Sequence, residues 1–281
     1  MIGKVLLTGA TGFVGRHVFR ALRRDGHSIR AVLRNGADMP DCEVVRTADL
    51  FAESAEWWAR TCADVDTIVH VAWYAEPGKY LPSPRNIDCL TGTLALAQGA
   101  MKAGTRRFVG VGTCFEYDLK LPVLSTTTPL GPKTLYGACK ASAYLTLSQL
   151  LPQAGMSFAW CRLFYLYGEG EDPRRLVPYI HARLSAGQPA ELTSGQQIRD
   201  YLDVAEAGRQ IASVAVGDQT GALNICSGKP VTVADLARSI ADRYGRRDLL
   251  RLGARSDNPE DPYCVLGEPS LPASSSPSKK D

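Results

Sequence analysis

Through its first 165 residues the chain alternates short apolar runs with helical stretches, and this rhythm restricts the fold more than any other feature. "KVLLT" (4–8), "SIRAVLR" (28–34), "CEVVRT" (42–47), "TIVHVA" (67–72), "RFVGVG" (107–112) and "FAWCRLF" (158–164) read as strands. Between them "FVGRHVFRALRRDG", "SAEWWARTC", "GTLALAQGAMKAG" and "YGACKASAYLTLSQLLPQAG" read as helices, several closed by glycine, as helix C-termini often are. Such alternation argues for a parallel sheet with helices on both faces. Nearly continuous apolar strands fit burial from both sides. The expected fold class is α/β, a doubly wound parallel sheet.

After about residue 166 the rhythm breaks. "LVPYIHARLSAG", "VAEAGRQIASVAVG" and "TVADLARSIADRYG" read as helices, the last with Thr232 as N-cap and Asp235 at N3. "ALNIC" reads as a strand, and the rest is irregular. This predicts a first domain over 1–165, to which 200–228 returns, and a smaller mixed α/β C-terminal substrate lobe within 166–267. The Pro/Ser-rich tail 268–281 is expected to be disordered.

A net charge of +3 without long basic runs argues against nucleic acid and membrane surfaces as partners. The eight cysteines are scattered, with no C-x-x-C and no clustering with the four histidines. That implies no metal site and a reducing compartment. No apolar run approaches the ~20 residues of a membrane span, and the N-terminus enters a strand without a leader pattern. A cytoplasmic location is expected.

Two short stretches carry chemistry. "VLLTGATGFVGRHVF" places Gly9, Gly12 and Gly15 where the first strand turns into the first helix. Glycines there let the backbone turn tightly and a pyrophosphate approach closely, with the helix N-terminus facing the phosphates. A glycine triplet alone is weak evidence, but this one opens the first βα unit, the context a dinucleotide site requires. In "TLYGACKAS" (134–142), Tyr136 and Lys140 stand at i and i+4 on one helix face. Spacing alone leaves them equally readable as a solvated surface pair.

With Thr8 in front, "TGATGFVG" resembles the fingerprint of the short-chain dehydrogenase/reductases, in particular the extended branch that acts on nucleotide-activated sugars. Tyr136 and Lys140 then match that family's Y-x-x-x-K pair. "ADL" (48–50), "IVHVA" (68–72), "FVGVGTCFEY" (108–117), "CRLFYLYGEGE" and "LTSGQQIRDYLDV" resemble further family motifs at matching intervals, over about residues 3 to 245. The resemblance implies a Rossmann domain that binds its dinucleotide through Gly9, Thr11, Gly12, Phe13, Val14, Gly15 and Arg16. Asp49 and Leu50 would sit at the adenine, Ala72 after the fourth strand, and Lys140 at the nicotinamide ribose. Thr113 matches the catalytic Ser/Thr. The implied partner is a nucleotide-diphosphate sugar. The family's usual homodimer, a four-helix bundle, would use helices at about 88–103 and 136–151.

Members that use NAD carry an acid at the end of the second strand, whereas an arginine there accommodates the extra phosphate of NADP. Here that residue is Arg34, with Arg16 as a second cation, which favours NADP(H) and leaves NAD(H) as the alternative. A tyrosine ordinarily titrates near ~10. The Lys140 ammonium, and the positive nicotinamide when the cofactor is oxidised, are expected to bring Tyr136 down towards working pH, where a general acid/base is most effective. Thr113 would fix the substrate's reacting oxygen.

Departures from the family pattern narrow the reaction. Dehydrating members carry Asp-Glu after the catalytic Thr, where this chain has Cys114 and Phe115. Phe115 has no proton to exchange, which disfavours dehydration, and Cys114 reads better as a packed thiol than as an acid. Tyr165 replaces an asparagine that contacts substrate, and the family's helix asparagine aligns with Cys89, three residues after Asn86. Trp73 and Tyr74 stand where the family has small residues and either line the sugar site or pack the lobe. Val177 and Arg199 complete the expected substrate contacts, Arg199 with a buried salt bridge as its alternative role. The expected function is NADPH-dependent reduction of the 4-keto group of a nucleotide-activated 4-keto-6-deoxy sugar. An NAD-dependent 4-epimerase and a non-catalytic NADP-binding sensor are the alternatives.

Overall fold

In β1 (Lys4–Thr8) the side chains from Val5 to Thr8 are all buried, as a strand covered on both faces requires. The computed structural model describes residues 3–272. After β1 come α1 (Gly15–Arg24), β2 (Ile29–Arg34), β3 (Glu43–Thr47), α2 (Ala55–Thr61), β4 (Val65–His70) and α3 (Arg85–Ala103). β5 (Arg107–Thr113), β6 (Val123–Leu124), α4 (Leu135–Gln153), β7 (Ser157–Leu163) and β8 (Tyr165–Tyr167) follow. The last third holds α5 (Leu176–Ser185), β9 (Ala190–Glu191), β10 (Ile198–Asp203), α6 (Val204–Val216) and β11 (Gly221–Ile225). It closes with β12 (Pro230–Thr232), α7 (Val233–Tyr244), β13 (Leu250–Arg251) and β14 (Cys264–Gly267).

Seven strands form one parallel sheet in the order β11-β7-β5-β4-β1-β2-β3. From β1 the chain first moves outward through β2 and β3, then returns to lay β4 on the other side. That reversal opens a crevice at the carboxyl ends of β1 and β4, where sheets of this kind bind ligands. Strand alternation divides the core in two. Val5 and Leu7 pack with Val18, Leu22 and Ile211 from α1 and α6. Leu6, between them, packs with Trp58, Leu96 and Leu147 from α2, α3 and α4 on the opposite face.

Helix boundaries follow local chemistry. Ser54 and Thr134 accept hydrogen bonds from the backbone N–H groups of Trp57 and Gly137 at 3.2 and 3.1 Å, capping α2 and α4. Thr232 caps α7 by accepting from the Asp235 N–H at 3.0 Å. Gly104 and Gly245 end α3 and α7 in the left-handed conformation, with φ of 74° and 62°.

A second sheet, β12-β10-β14-β6 with β8 beside β10, mixes parallel and antiparallel pairs. α5 and α7 pack on each other around Val177, Ile180, Leu184, Ala237 and Ile240. β11 and α6, by contrast, belong to the seven-stranded sheet and its core. The first residues of the expected tail are held in the fold. The Glu268 N–H donates to the Leu124 carbonyl at 3.0 Å, and the Ser270 hydroxyl accepts from the Asn224 N–H at 2.8 Å. Leu271 packs against the main core. Backbone pairing there outweighs the polar composition, and residues 273–281 of the expected tail lie outside the described residues. Among the described residues no helix is long and apolar enough to cross a membrane.

Candidate active site

The crevice at the switch point is a cavity of about 560 Å3 lined by the glycine turn, the ends of β4 and β5, the start of α4 and the segment after β7. The glycines are there because nothing larger fits. Gly9 has φ of 73°, and a Cβ on it would lie 2.8 Å from the Ala72 nitrogen; on Gly15 it would lie 2.0 Å from the Gly9 carbonyl oxygen. α1 has no side-chain N-cap, and Phe13, Val14 and Gly15 at its start line the cavity. An uncapped helix start behind a glycine turn fits a pyrophosphate.

At the adenosine end the residues diverge. Arg34 is exposed at the end of β2 and makes no ion pair among the described residues. Asp49 accepts from the Phe51 N–H at 3.0 Å and is exposed, whereas Leu50 is buried. Arg16 braces the glycine turn: its Nε and Nη2 donate to the carbonyls of Gly12 and Thr11 at 3.2 and 3.1 Å. Its guanidinium also packs against Gly170. It therefore stands beside the turn and the loop that follows β8.

Thr113 ends β5, and a one-turn 3-10 helix follows. Its hydroxyl accepts from the Phe115 N–H at 3.3 Å, and its own N–H donates to Glu116 Oε1 at 2.8 Å. That reciprocal capping holds Thr113 at the cavity wall. Tyr136 follows the Thr134 cap in the first turn of α4, and its N–H donates to the Leu81 carbonyl at 3.0 Å. Lys140, one turn further, is 2% exposed. Its Nζ donates to the Val111 carbonyl at 2.5 Å and lies 3.8 Å from the centroid of the Trp73 ring. Thr113, Tyr136 and Lys140 all line the one cavity, opposite the glycine turn.

The protein's own groups alone do not bring Tyr136 down. Burial pushes its phenol up, and the neighbouring Tyr80 adds to this, against a weaker opposing hydrogen bond with Thr113. Lys140 is itself driven towards neutrality, down to about 7, because burial outweighs the favourable field of Glu116. A lysine that is losing its own charge to burial is a poor source of field for the phenolate.

The remaining expected residues separate. Ala72, Trp73, Cys114, Phe115 and Tyr165 line the cavity. The Cys114 thiol is 2% exposed and pushed up to about 12 by burial. Tyr74, Val177 and Arg199 do not line it. The Tyr74 hydroxyl donates to Glu76 at 3.0 Å, with Arg85 over its ring. Val177 is taken by the core between α5 and α7. Arg199 is buried, lies 2.6 Å from Asp261 and stacks over Tyr165; its side chain is held by these partners, and Asp200 instead accepts from the N–H groups of Ser227, Gly228 and Gly267.

Tyr80 and Glu171 are among the lining residues that went unread in the sequence. Tyr80 meets the Tyr136 ring edge-on, centroids 4.8 Å apart. Glu171, on the loop after β8, has its carboxyl raised to about 7 by burial. Both come from irregular segments, where no periodicity reports which side chain turns inward.

Comparison with known proteins agrees with this layout. The family described as NAD dependent epimerase/dehydratase matches residues 5–226. A dTDP-6-deoxy-L-talose 4-dehydrogenase (NAD(+)) of Aggregatibacter actinomycetemcomitans is 24% identical, covering 80% of this chain and 85% of that protein. A UDP-glucose 4-epimerase of Neisseria meningitidis serogroup C is 26% identical over 86% and 83% of the two chains. The structure of MoeE5 in complex with UDP-glucose and NAD superposes with a TM-score of 0.80, at 27% identity over 95% of this chain and 90% of that one. The glycine turn, the crevice at the sheet's reversal and a match running through most of the chain converge, and the protein belongs to the NAD-dependent epimerase/dehydratase family.

Proposed function

We propose that this enzyme reduces the 4-keto group of a nucleotide-activated 4-keto-6-deoxy sugar, with Tyr136 as proton donor and NADPH as the preferred reductant. Nucleotide sugars stand in the names of the Aggregatibacter dehydrogenase and the Neisseria epimerase, and the 27% identical MoeE5 structure is a complex with UDP-glucose and NAD. When bound, the nicotinamide supplies the hydride. Tyr136 gives its phenolic proton to the carbonyl oxygen as negative charge develops there. Thr113 donates a hydrogen bond to the same oxygen and fixes its position. Lys140, one helical turn from the phenol and buried at the cavity wall, holds the nicotinamide ribose when the dinucleotide is bound.

One observation carries the reading. Thr113 and Tyr136 line one cavity with the glycine turn, so a hydroxyl and a phenol that keeps its proton at neutral pH stand at the cleft proposed for the dinucleotide. Arg34 at the end of β2, exposed and unpaired among the described residues, supports NADPH over NADH, although the relatives that name a dinucleotide name NAD. The 4-epimerase reading draws its support from the Neisseria relative and expects tightly retained NAD and turnover without added reductant. We also infer a homodimer through α3 and α4. These helices pack on each other and leave Ile87 and Leu145 53% and 55% exposed; sedimentation as a monomer at micromolar concentration would refute it.

The test is a panel of nucleotide-linked 4-keto-6-deoxy sugars, following NADPH and NADH absorbance separately. Oxidation of NADPH with at least one ketone is expected, and flat traces with all of them overturn the assignment. Tyr136→Phe separates enzyme from sensor: turnover should fall ~10²–10⁴-fold, with dinucleotide binding retained.

A further inference from the structure

The segment between β4 and α3 holds an arrangement that the proposed reaction does not use. Trp73 lays its indole face over Nζ of Lys140, 3.8 Å from the ring centroid. The ring is held by its single polar handle, with Nε1–H donating to Asn86 Oδ1 at 2.8 Å. Asn86 is fully buried at the start of α3. Its Nδ2 reaches back to the carbonyls of Tyr80 and Ser83 at 2.6 and 2.8 Å. Tyr80 in turn meets Tyr136 edge-on. One amide thus ties down the Trp73 ring and the backbone of Tyr80.

A loop bolt needs only the two backbone bonds. The third bond goes to the indole whose face lies over the lysine. Among the described residues no carboxylate forms an ion pair with Nζ, which donates to a backbone carbonyl. The titratable groups that act on it are Glu116 after β5, Cys89 on α3 and His70 on β4, and Tyr136 stands one turn before it on α4 and lines the same cavity. Of these, the Glu116 carboxylate is held in an ion pair with Arg162 at 2.7 Å, and His70 is neutral because burial pushes it down to about 3. An aromatic face 3.8 Å away is then a principal partner of the ammonium form, and indole is the strongest of the aromatic faces.

We propose that Asn86 is a positioning residue: by fixing the Trp73 indole over Nζ, it holds Lys140 in its charged form beside Tyr136. Only the catalytic consequence rests on the reduction proposed above; the electrostatic claim stands without it.

Lysines carrying ¹³C at Cε report the charge of each ammonium by NMR, and the signal absent from Lys140→Met identifies Lys140. Its midpoint should move to lower pH by ~0.5–1.5 pH units in Trp73→Leu and by less in Trp73→Phe. Asn86→Ala should move it in the same direction, the other lysines staying in place. If Asn86→Ala does not fold, the two Trp73 variants decide, since both leave the Asn86 bonds to Tyr80 and Ser83 intact. An unmoved midpoint in the Trp73 variants overturns the proposal. So does an Asn86→Ala protein that folds and titrates like wild type. In the kinetic arm, the limb of kcat/KM governed by Lys140 shifts downward in the same variants. A uniform fall at every pH with an unmoved limb marks a purely structural bolt and also overturns it. Failure of the reduction assignment looks different: wild-type protein turns over no ketone, and the NMR titration is unaffected.

Discussion

Lys140 and Arg162 are both cations, both nearly inaccessible to water at 2% and 1% exposure, and the environments built around them are opposite. Arg162 donates to Glu116 Oε2 at 2.7 Å and to the Tyr117 hydroxyl at 2.9 Å, and stacks on the rings of Tyr117 and Tyr144. Glu116 accepts further from the Trp160 indole at 2.9 Å and from the Thr113 N–H. Burial works against the guanidinium, yet the Glu116 carboxylate and the Tyr117 oxygen together raise it above its ordinary range. Lys140 has a carbonyl and an indole face instead, and burial wins, leaving it near 7. A charge given a counter-ion is architecture; a charge denied one is held close to a proton transfer.

The largest expected effect tests the architectural half. Removing one partner of a buried pair strands the other charge, which costs ~3–5 kcal/mol. Glu116→Leu should therefore lower unfolding free energy by about that amount and loosen Thr113, whose N–H loses its acceptor. Denaturant unfolding measures the loss. A variant within 1 kcal/mol of wild type, by the same scale, would mean that the network carries little of the fold.

Lys140→Met should go the other way. A lysine held near 7 in the folded protein, against ~10.4 in the unfolded chain, opposes folding at neutral pH. Below about 7 both states hold the proton and the penalty is complete. Between about 7 and ~10.4 the unfolded chain binds a proton that the native state has released, so wild-type stability rises with pH through that window. Methionine removes the ammonium and keeps most of the side-chain volume, so the variant should be ~1–3 kcal/mol more stable at pH 7. Its stability curve should lack the alkaline rise, and it should lose turnover. A variant less stable than wild type at pH 7 would remove the contrast between the two cations.

How much of this was legible in the sequence follows the same division. Elements that obey a period were readable: the six strands, the order of helices, the glycine turn and the Thr232 cap each rest on local pattern. Spacing put Tyr136 and Lys140 on one helix face, and only the resemblance of several motifs in register gave the pair a role. The direction of the Tyr136 shift was not readable, because burial is a property of the packed cavity and outweighs a pairwise estimate made from the chain. Tyr74, Val177 and Arg199 were misplaced for a related reason. Each lies in or beside an irregular segment, and a partner distant in sequence claims it: Arg85, the core between α5 and α7, and Asp261. Glu116 drew no attention because its partner Arg162 stands 46 residues away.

Arg34 supplies a third setting, a cation that is exposed and unpaired among the described residues. If the contrast between paired and unpaired buried charges is about desolvation, an exposed charge should matter to ligand choice and hardly at all to the fold. Arg34→Asp should change unfolding free energy by less than ~0.5 kcal/mol, as surface substitutions generally do. It should weaken NADPH binding ~5–30-fold, the loss of one partly solvated charge-assisted contact, with NADH affinity nearly unchanged. Because the contact faces solvent, the wild-type preference should shrink as salt rises and the Debye length falls from ~10 Å at 0.1 M to ~3 Å at 1 M. Titrating both dinucleotides by quenching of intrinsic fluorescence at two salt concentrations measures all of this. An unchanged NADPH-to-NADH ratio in Arg34→Asp would mean that the end of β2 does not select the cofactor. A large loss of stability would mean that Arg34 belongs with Arg162 rather than apart from it.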